Sequence, residues 1–167
     1  MGRLIAALSA VVLGVLGTTG TAQAADEPWL ASGLWGSSAG EVRIQFARTD
    51  KCLDAALEEI DNNGGKVQMW TCGLGGDEQY WYAEYHEEWG ASLVRNKANG
   101  KCLDVALEEI DLDGGKLQMW DCTGNIEQRW TFQSHQGDLF MESMAVRGAF
   151  GAPSLTDGAP IGLYNKI

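Results

Sequence analysis

"KCLDAALEEIDNNGGKVQMWTC" occupies residues 51–72, and "KCLDVALEEIDLDGGKLQMWDC" occupies residues 101–122. The two stretches differ only at Ala55/Val105, Asn62/Leu112, Asn63/Asp113, Val67/Leu117 and Thr71/Asp121. Each is followed by a second signature, "EQYW" at 78–81 and "EQRW" at 127–130. Self-similarity on this scale marks a repeat architecture, in which a unit that cannot bury its apolar face alone stacks on its copies. A decayed third copy stands near Ile167: a shift of 44 residues lays "DGGKLQMWD" (113–121) over "DGAPIGLYN" (157–165). In that alignment Val146 replaces Cys102, Gly148 replaces Asp104, Gly162 replaces Gln118 and Tyr164 replaces Trp120. The turn, an aliphatic and an aromatic position persist while the polar positions are lost.

The repeat units span residues 41–81, 91–130 and 139–167. The third stops at Ile167 without an "EQxW" of its own, but "DEPW" at 26–29 precedes Cys52 much as Trp81 precedes Cys102. The N-terminal segment is therefore expected to supply the strand that the third unit lacks. The competing readings are a loosely packed arm around Pro28 and Trp29, or a chain that is a fragment.

Arg3, the apolar run Leu4–Gly17 and the small-x-small triplet "AQA" at 22–24 have the form of a secretory signal peptide over residues 1–24. Residues 25–167 then form one exported domain, long enough for a core and too short for two ordinary domains. No later segment approaches the about 20 apolar residues that a membrane span needs. With 12 Lys and Arg against 23 Asp and Glu, the net charge of −11 repels nucleic acid phosphates and anionic membranes, so neither is an expected partner. Four cysteines in an exported chain suggest two disulfides, and repeat symmetry favours Cys52 with Cys72 and Cys102 with Cys122 among the possible pairings. No closely spaced Cys/His set suits a metal.

Short alternating stretches such as "EVRIQFA", "ASLVR", "KVQMW" and "KLQMW", separated by Gly, Asn and Asp turns, predict an all-β barrel or sandwich. Only "ALEEI" looks like a helical turn. In a strand over "KVQMW", Val67 and Met69 share one face and Gln68 and Trp70 the other. If the apolar pair faces inward, Trp70 and, by the same argument, Trp120 are held outward beside glutamines 68 and 118. An indole can stack on the C–H face of a sugar, and carboxylates and amides can take paired hydrogen bonds from its hydroxyls. Asp54 and Asp104, pinned near these indoles by the disulfides, suit that chemistry. Alternatively, they cap the "ALEEI" turns.

"CLD", then "VQMW" and a cysteine, then "EQYW", repeated with a degenerate third copy, resembles the R-type (ricin B chain-like) lectin family with its Q-x-W signature. That family is also grouped with a carbohydrate-binding module family of bacterial glycosidases. The resemblance runs from Glu41 to the C-terminus. It implies a β-trefoil of three similar units about a pseudo-threefold axis, with half the strands closing a barrel and half capping it. It further implies carbohydrate-binding residues Asp54, Gln68, Trp70 and Gln79 in the first unit, and Asp104, Gln118, Trp120 and Gln128 in the second. Trp81 and Trp130 are then core residues. Glu78 and Glu127 stand where many family sites carry asparagine. The third unit retains only Tyr164 of the ligand set, and its site is expected to be inactive or very weak.

The reading that results is a secreted, non-enzymatic protein binding a galactoside or a plant or microbial polysaccharide through two shallow sites, with no cofactor. The alternative is a secreted trefoil that is structural or a protease inhibitor. The carboxylate pairs Glu58/Glu59 and Glu108/Glu109 evoke a glycosidase, but each pair is adjacent in sequence and duplicated, whereas a glycosidase aims one pair at one bond. The "EEID" loops lack EF-hand spacing. Replacing Asp54 and Asp104 by alanine is expected to abolish glycan retention and leave stability unchanged.

Overall fold

The computed structural model describes residues 31–36, 40–135, 138–146 and 148–164. The proposed signal peptide and the "DEPW" stretch lie outside the described residues. β1 (Ala31–Gly36) precedes three units of like order. The first contains β2 (Glu41–Phe46), β3 (Lys51–Ala55), β4 (Gly65–Thr71) and β5 (Trp81–His86). The second contains β6 (Ala91–Asn96), β7 (Cys102–Val105), β8 (Gly115–Trp120) and β9 (Trp130–His135), and the third β10 (Asp138–Ser143), β11 (Ala149–Gly151) and β12 (Gly162–Tyr164).

The outer strands of each unit build a barrel. β2 pairs with β5, β5 with β6, β6 with β9 and β9 with β10, all antiparallel. β1 pairs with β2 and lies against β10, which brings the ladder round. A closed ladder has no edge to shield. The strand in the place of the third unit's missing one thus runs from Ala31 to Gly36, just after the stretch that the sequence suggested.

The inner strands form hairpins β3–β4, β7–β8 and β11–β12 that cap the barrel. β4 joins β8, β8 joins β12, and a bridge from Gln68 to Pro160 returns to the first unit. This is the β-trefoil. The cap is locked by a glycine from each unit in the left-handed region, Gly64, Gly114 and Gly158 at φ +85, +84 and +86. Their N–H groups donate to Met119, Leu163 and Met69 carbonyls at 2.9, 2.8 and 2.9 Å, each in a neighbouring unit.

The alternation that predicted strands also places the core. Leu53, Val67 and Met69, with Leu103, Leu117 and Met119, are buried against Phe46, Val94, Met141, Phe150 and Ile161. Trp81 and Trp130 are wholly buried, and their indole N–H groups donate to Leu53 O at 3.1 Å and Leu103 O at 3.0 Å. Both expected disulfides are present, each closing a 20-residue separation and contributing about 3 kcal/mol in the chain-entropy picture.

A chain beginning after Gly36 leaves the ladder edge of β2 unpaired. We expect it to melt at a lower temperature than the chain from residue 25 and to associate at concentrations where that chain does not. Identical melting and sedimentation of the two would show that β1 does not close the barrel.

Candidate functional site

The cap hairpins carry two unlike faces. On β3–β4, Cys52 lies opposite Trp70 and Asp54 opposite Gln68, while Leu53 and Ala55 face Met69 and Val67. β7–β8 repeats this register, with Cys102 opposite Trp120 and Asp104 opposite Gln118. One face therefore enters the core, and the other gathers disulfide, carboxylate, amide and indole.

That second face is more enclosed than alternation predicted. Asp54 and Asp104 are each 3 % exposed and Gln68 and Gln118 each 4 %, while Trp70 is half-buried and Trp120 is 38 % exposed. The reason is that the turn preceding the buried tryptophan folds over it. Gln68 Nε2 donates to Asp54 Oδ1 at 2.9 Å, and Gln79 Nε2 donates to Asp54 Oδ2 at 3.2 Å. In the second unit Gln118 and Gln128 reach the two Asp104 oxygens, both at 2.9 Å. Glutamines 79 and 128 are committed at both ends: their amides also donate to Thr71 O and Asp121 O, and their carbonyls accept from Gly73 N–H and Thr123 N–H. The outward placement inferred for glutamines 68 and 118 is thus corrected to a buried one beside the carboxylate.

The turn-capping alternative for the aspartates is also settled. The short 3-10 turn Leu107–Glu109 begins at Ala106 without a side-chain cap. Glu59 and Glu109 brace the turns instead, accepting from Lys66 N–H at 2.9 Å and Lys116 N–H at 3.0 Å. One member of each carboxylate pair therefore has a backbone task.

Burial raises the Asp54 carboxyl above its ordinary value of 3.8, and the Gln68 and Gln79 amides pull it partly back. Asp104 behaves alike, raised by burial and, more weakly, by Glu127 and Glu108, and lowered by its two glutamines. Above Asp104 opens a cleft of about 240 Å³. Asp104, Gln118 and Trp120 form its floor, Leu107 and Glu108 of the turn one wall, and Thr123, Asn125 and Glu127 the other. Leu107, 59 % exposed, is an apolar wall that sequence reasoning missed, because the turn was read only for its acids. Among the described residues no group of three or more His, Cys, Asp or Glu is arranged to hold a metal.

The third hairpin is closed. Ala149 pairs with Tyr164 and Gly151 with Gly162, so the position equivalent to Asp104 is Gly151 and not Gly148. A single shift could not show this, because the third hairpin loop is shorter than the others. A Cβ at Gly151 would lie 2.6 Å from the Tyr164 ring, and one at Gly162 would lie 2.4 Å from Gly114 O. The tyrosine fills the space where the other units hold a carboxylate.

The profile described as ricin-type beta-trefoil lectin domain matches residues 31–130 and 88–165. Among solved structures, a designed three-fold symmetric protein, ThreeFoil, is similar at TM-score 0.61 and 23% identity over 70% of this chain and 83% of its own. An exo-beta-1,3-galactanase from Clostridium thermocellum is similar at 0.60 and 27%, over 70% of this chain but only 25% of the galactanase. A Polyporus squamosus lectin, bound to the epitope Neu5Aca2-6Galb1-4GlcNAc, is similar at 0.60 and 16%, over 83% of this chain and 44% of the lectin. No curated protein matches the chain.

The buried amides revise the expectation that alanine at positions 54 and 104 is silent for stability. Asp104→Ala strands the Gln118 Nε2 donor, and the expected loss is about 1–3 kcal/mol in urea unfolding, with the same for Asp54→Ala. An unchanged midpoint would mean that these hydrogen bonds do not hold the site together.

Proposed function

The chain belongs to the ricin-type β-trefoil lectin domain family, and from that membership we propose a secreted, non-enzymatic carbohydrate-binding protein. It engages a galactoside or a plant or microbial polysaccharide through two shallow sites, centred on Asp54 and on Asp104. One observation carries this reading. The same carboxylate, amide and indole share one hairpin face in two units, whereas in the third both polar positions are glycine and a tyrosine stands at the indole position.

Each residue has a task in that reading. Trp70 and Trp120 offer a ring face for the C–H face of a sugar. Asp54 and Asp104 accept from a pair of hydroxyls with the lone pairs that the glutamines leave free. Gln68 and Gln118 lie beside the ligand as well as holding the carboxylate. Gln79 and Gln128, with both ends occupied, act through the aspartates as positioning residues. The leader-like N-terminus and the two disulfides support an oxidising destination. Glu59 and Glu109 each brace their own turn through a backbone N–H, in two separate units, which supports a binding role over a glycosidase's single facing pair.

Each site engages few atoms, so retention on a polymer depends on using both. On an array of galactosides, xylan and β-glucans, we expect residues 25–167 to bind at least one polymer. Trp70→Ala and Trp120→Ala should each weaken that binding at least about tenfold, with the double variant not retained. Retention of the double variant would overturn the site assignment. Binding should also fade on acidification while the pH is still above 3.8, because the raised carboxyls of Asp54 and Asp104 take up protons earlier than an ordinary aspartate. Binding that persists below that value would remove the charged acceptor from the mechanism.

A further inference from the structure

Three side chains around the second cleft are carboxylates, those of Asp104, Glu108 and Glu127, and none is a cation. The cations of this unit are engaged elsewhere. Lys101 donates to Asn63 and Asp121, Lys116 donates to Gly64 O, and Arg129 donates to Gly124 O while stacking on Trp89.

Glu127 is the unusual member. It is only 8 % exposed yet lines the cleft, and among the described residues its carboxylate accepts no hydrogen bond and joins no ion pair. Its counterpart Glu78 is equally buried, but there Oε1 accepts the Gly76 N–H at 2.6 Å. That contact needs the glycines of the first unit's loop, since a Cβ at Gly75 would lie 2.6 Å from Glu78 Oε1 and one at Gly76 would lie 3.1 Å from Oε2. The second loop is shorter and carries Thr123 and Asn125, so Glu127 keeps its lone pairs for whatever enters.

Glu127 thus faces the cleft with no donor of its own, and Asp104 and Glu108 beside it gather negative charge there with no cation to balance it. A hydroxyl would supply the hydrogen bond and leave the charge unbalanced. An ammonium group supplies both, as a charge-assisted bond.

Building on the carbohydrate reading above, we propose that the second cleft selects sugars carrying a free, protonated amine, with Glu127 as the ammonium acceptor beside the Trp120 platform. The first site, whose glutamate is already bound, does not share the preference. Acidic sugars are disfavoured at the second cleft by the same three carboxylates.

The test is titration calorimetry near pH 6.5 with glucosamine and galactosamine oligosaccharides, their N-acetylated forms and the neutral parent oligosaccharides. We expect at least one free-amine oligosaccharide to bind about tenfold or more tightly than its acetylated form. Glu127→Gln should bring that ratio close to one while its melting temperature stays near wild type. Glu87→Gln, an exposed site with the same charge change, should leave the ratio intact, which separates the cleft from general attraction to an acidic protein. A ratio near one in the wild type, or a ratio that survives Glu127→Gln, overturns the amine preference. Binding of neutral glycans without amine preference leaves the carbohydrate reading standing, whereas no binding to any oligosaccharide here or on the array overturns both.

Discussion

Three backbone hydrogen bonds hold the cap of this trefoil in a ring. Gly64, Gly114 and Gly158 each turn into the left-handed region and donate their N–H to a strand carbonyl of a neighbouring unit. Only a residue without a Cβ takes that conformation cheaply. Each of these glycines also faces a neighbour's aromatic: a Cβ at Gly64 would lie 4.0 Å from Trp120, one at Gly158 3.9 Å from Trp70 and one at Gly114 3.0 Å from Tyr164. The clasp that closes the fold therefore also forms the back wall behind each aromatic ring. Side chains around it tighten two of the joints, those made by Gly158 and Gly64. Asp157 accepts from Lys51 and from Thr71 N–H, and Asn63 exchanges hydrogen bonds with Asp121.

Core and candidate site share their supports. The glutamines that grip Asp54 and Asp104 sit two residues before Trp81 and Trp130, whose indoles bond to Leu53 O and Leu103 O on the same strands as the aspartates. A turn thus delivers a buried amide to the carboxylate and a buried indole to the core in one motion. The two amides partly offset the desolvation of the charge, which keeps an acceptor available at the base of the cleft. Positioning of this kind favours ligand binding because the acceptor is already oriented when the ligand arrives.

Much of this was legible in the sequence, for identifiable reasons. The doubled phrase contained a strand period, a cysteine symmetry and a polar set at fixed spacing, and these carried the barrel, both disulfides and the identity of the residues around Asp54 and Asp104. Burial of glutamines 68 and 118 was not legible, because period two reports which face a side chain takes and not what later folds over that face. The true partner of Asp104 in the third unit was missed for a related reason: a rigid shift assumes equal loops, and only strand pairing revealed Gly151. Leu107 was hidden because an exposed leucine in an acidic turn carries no period at all.

The third unit shows why such a site decays as a set. Removing the aspartate alone would leave a buried glutamine amide without an acceptor, and keeping it without the glutamines would leave a desolvated charge with too few donors. Neither half-state is favourable, so the carboxylate and amide positions are both glycine, and Tyr164 turns into the vacated space. The clasp tolerates this exchange because it runs through backbone atoms: Gly114 N–H reaches Leu163 O whatever side chains flank it. "GAPIGLYN" keeps what the ring of three units requires, a left-handed glycine, an aliphatic for the core and an aromatic against the neighbour. The polar set is a separate layer, supported by the scaffold but not needed to close it.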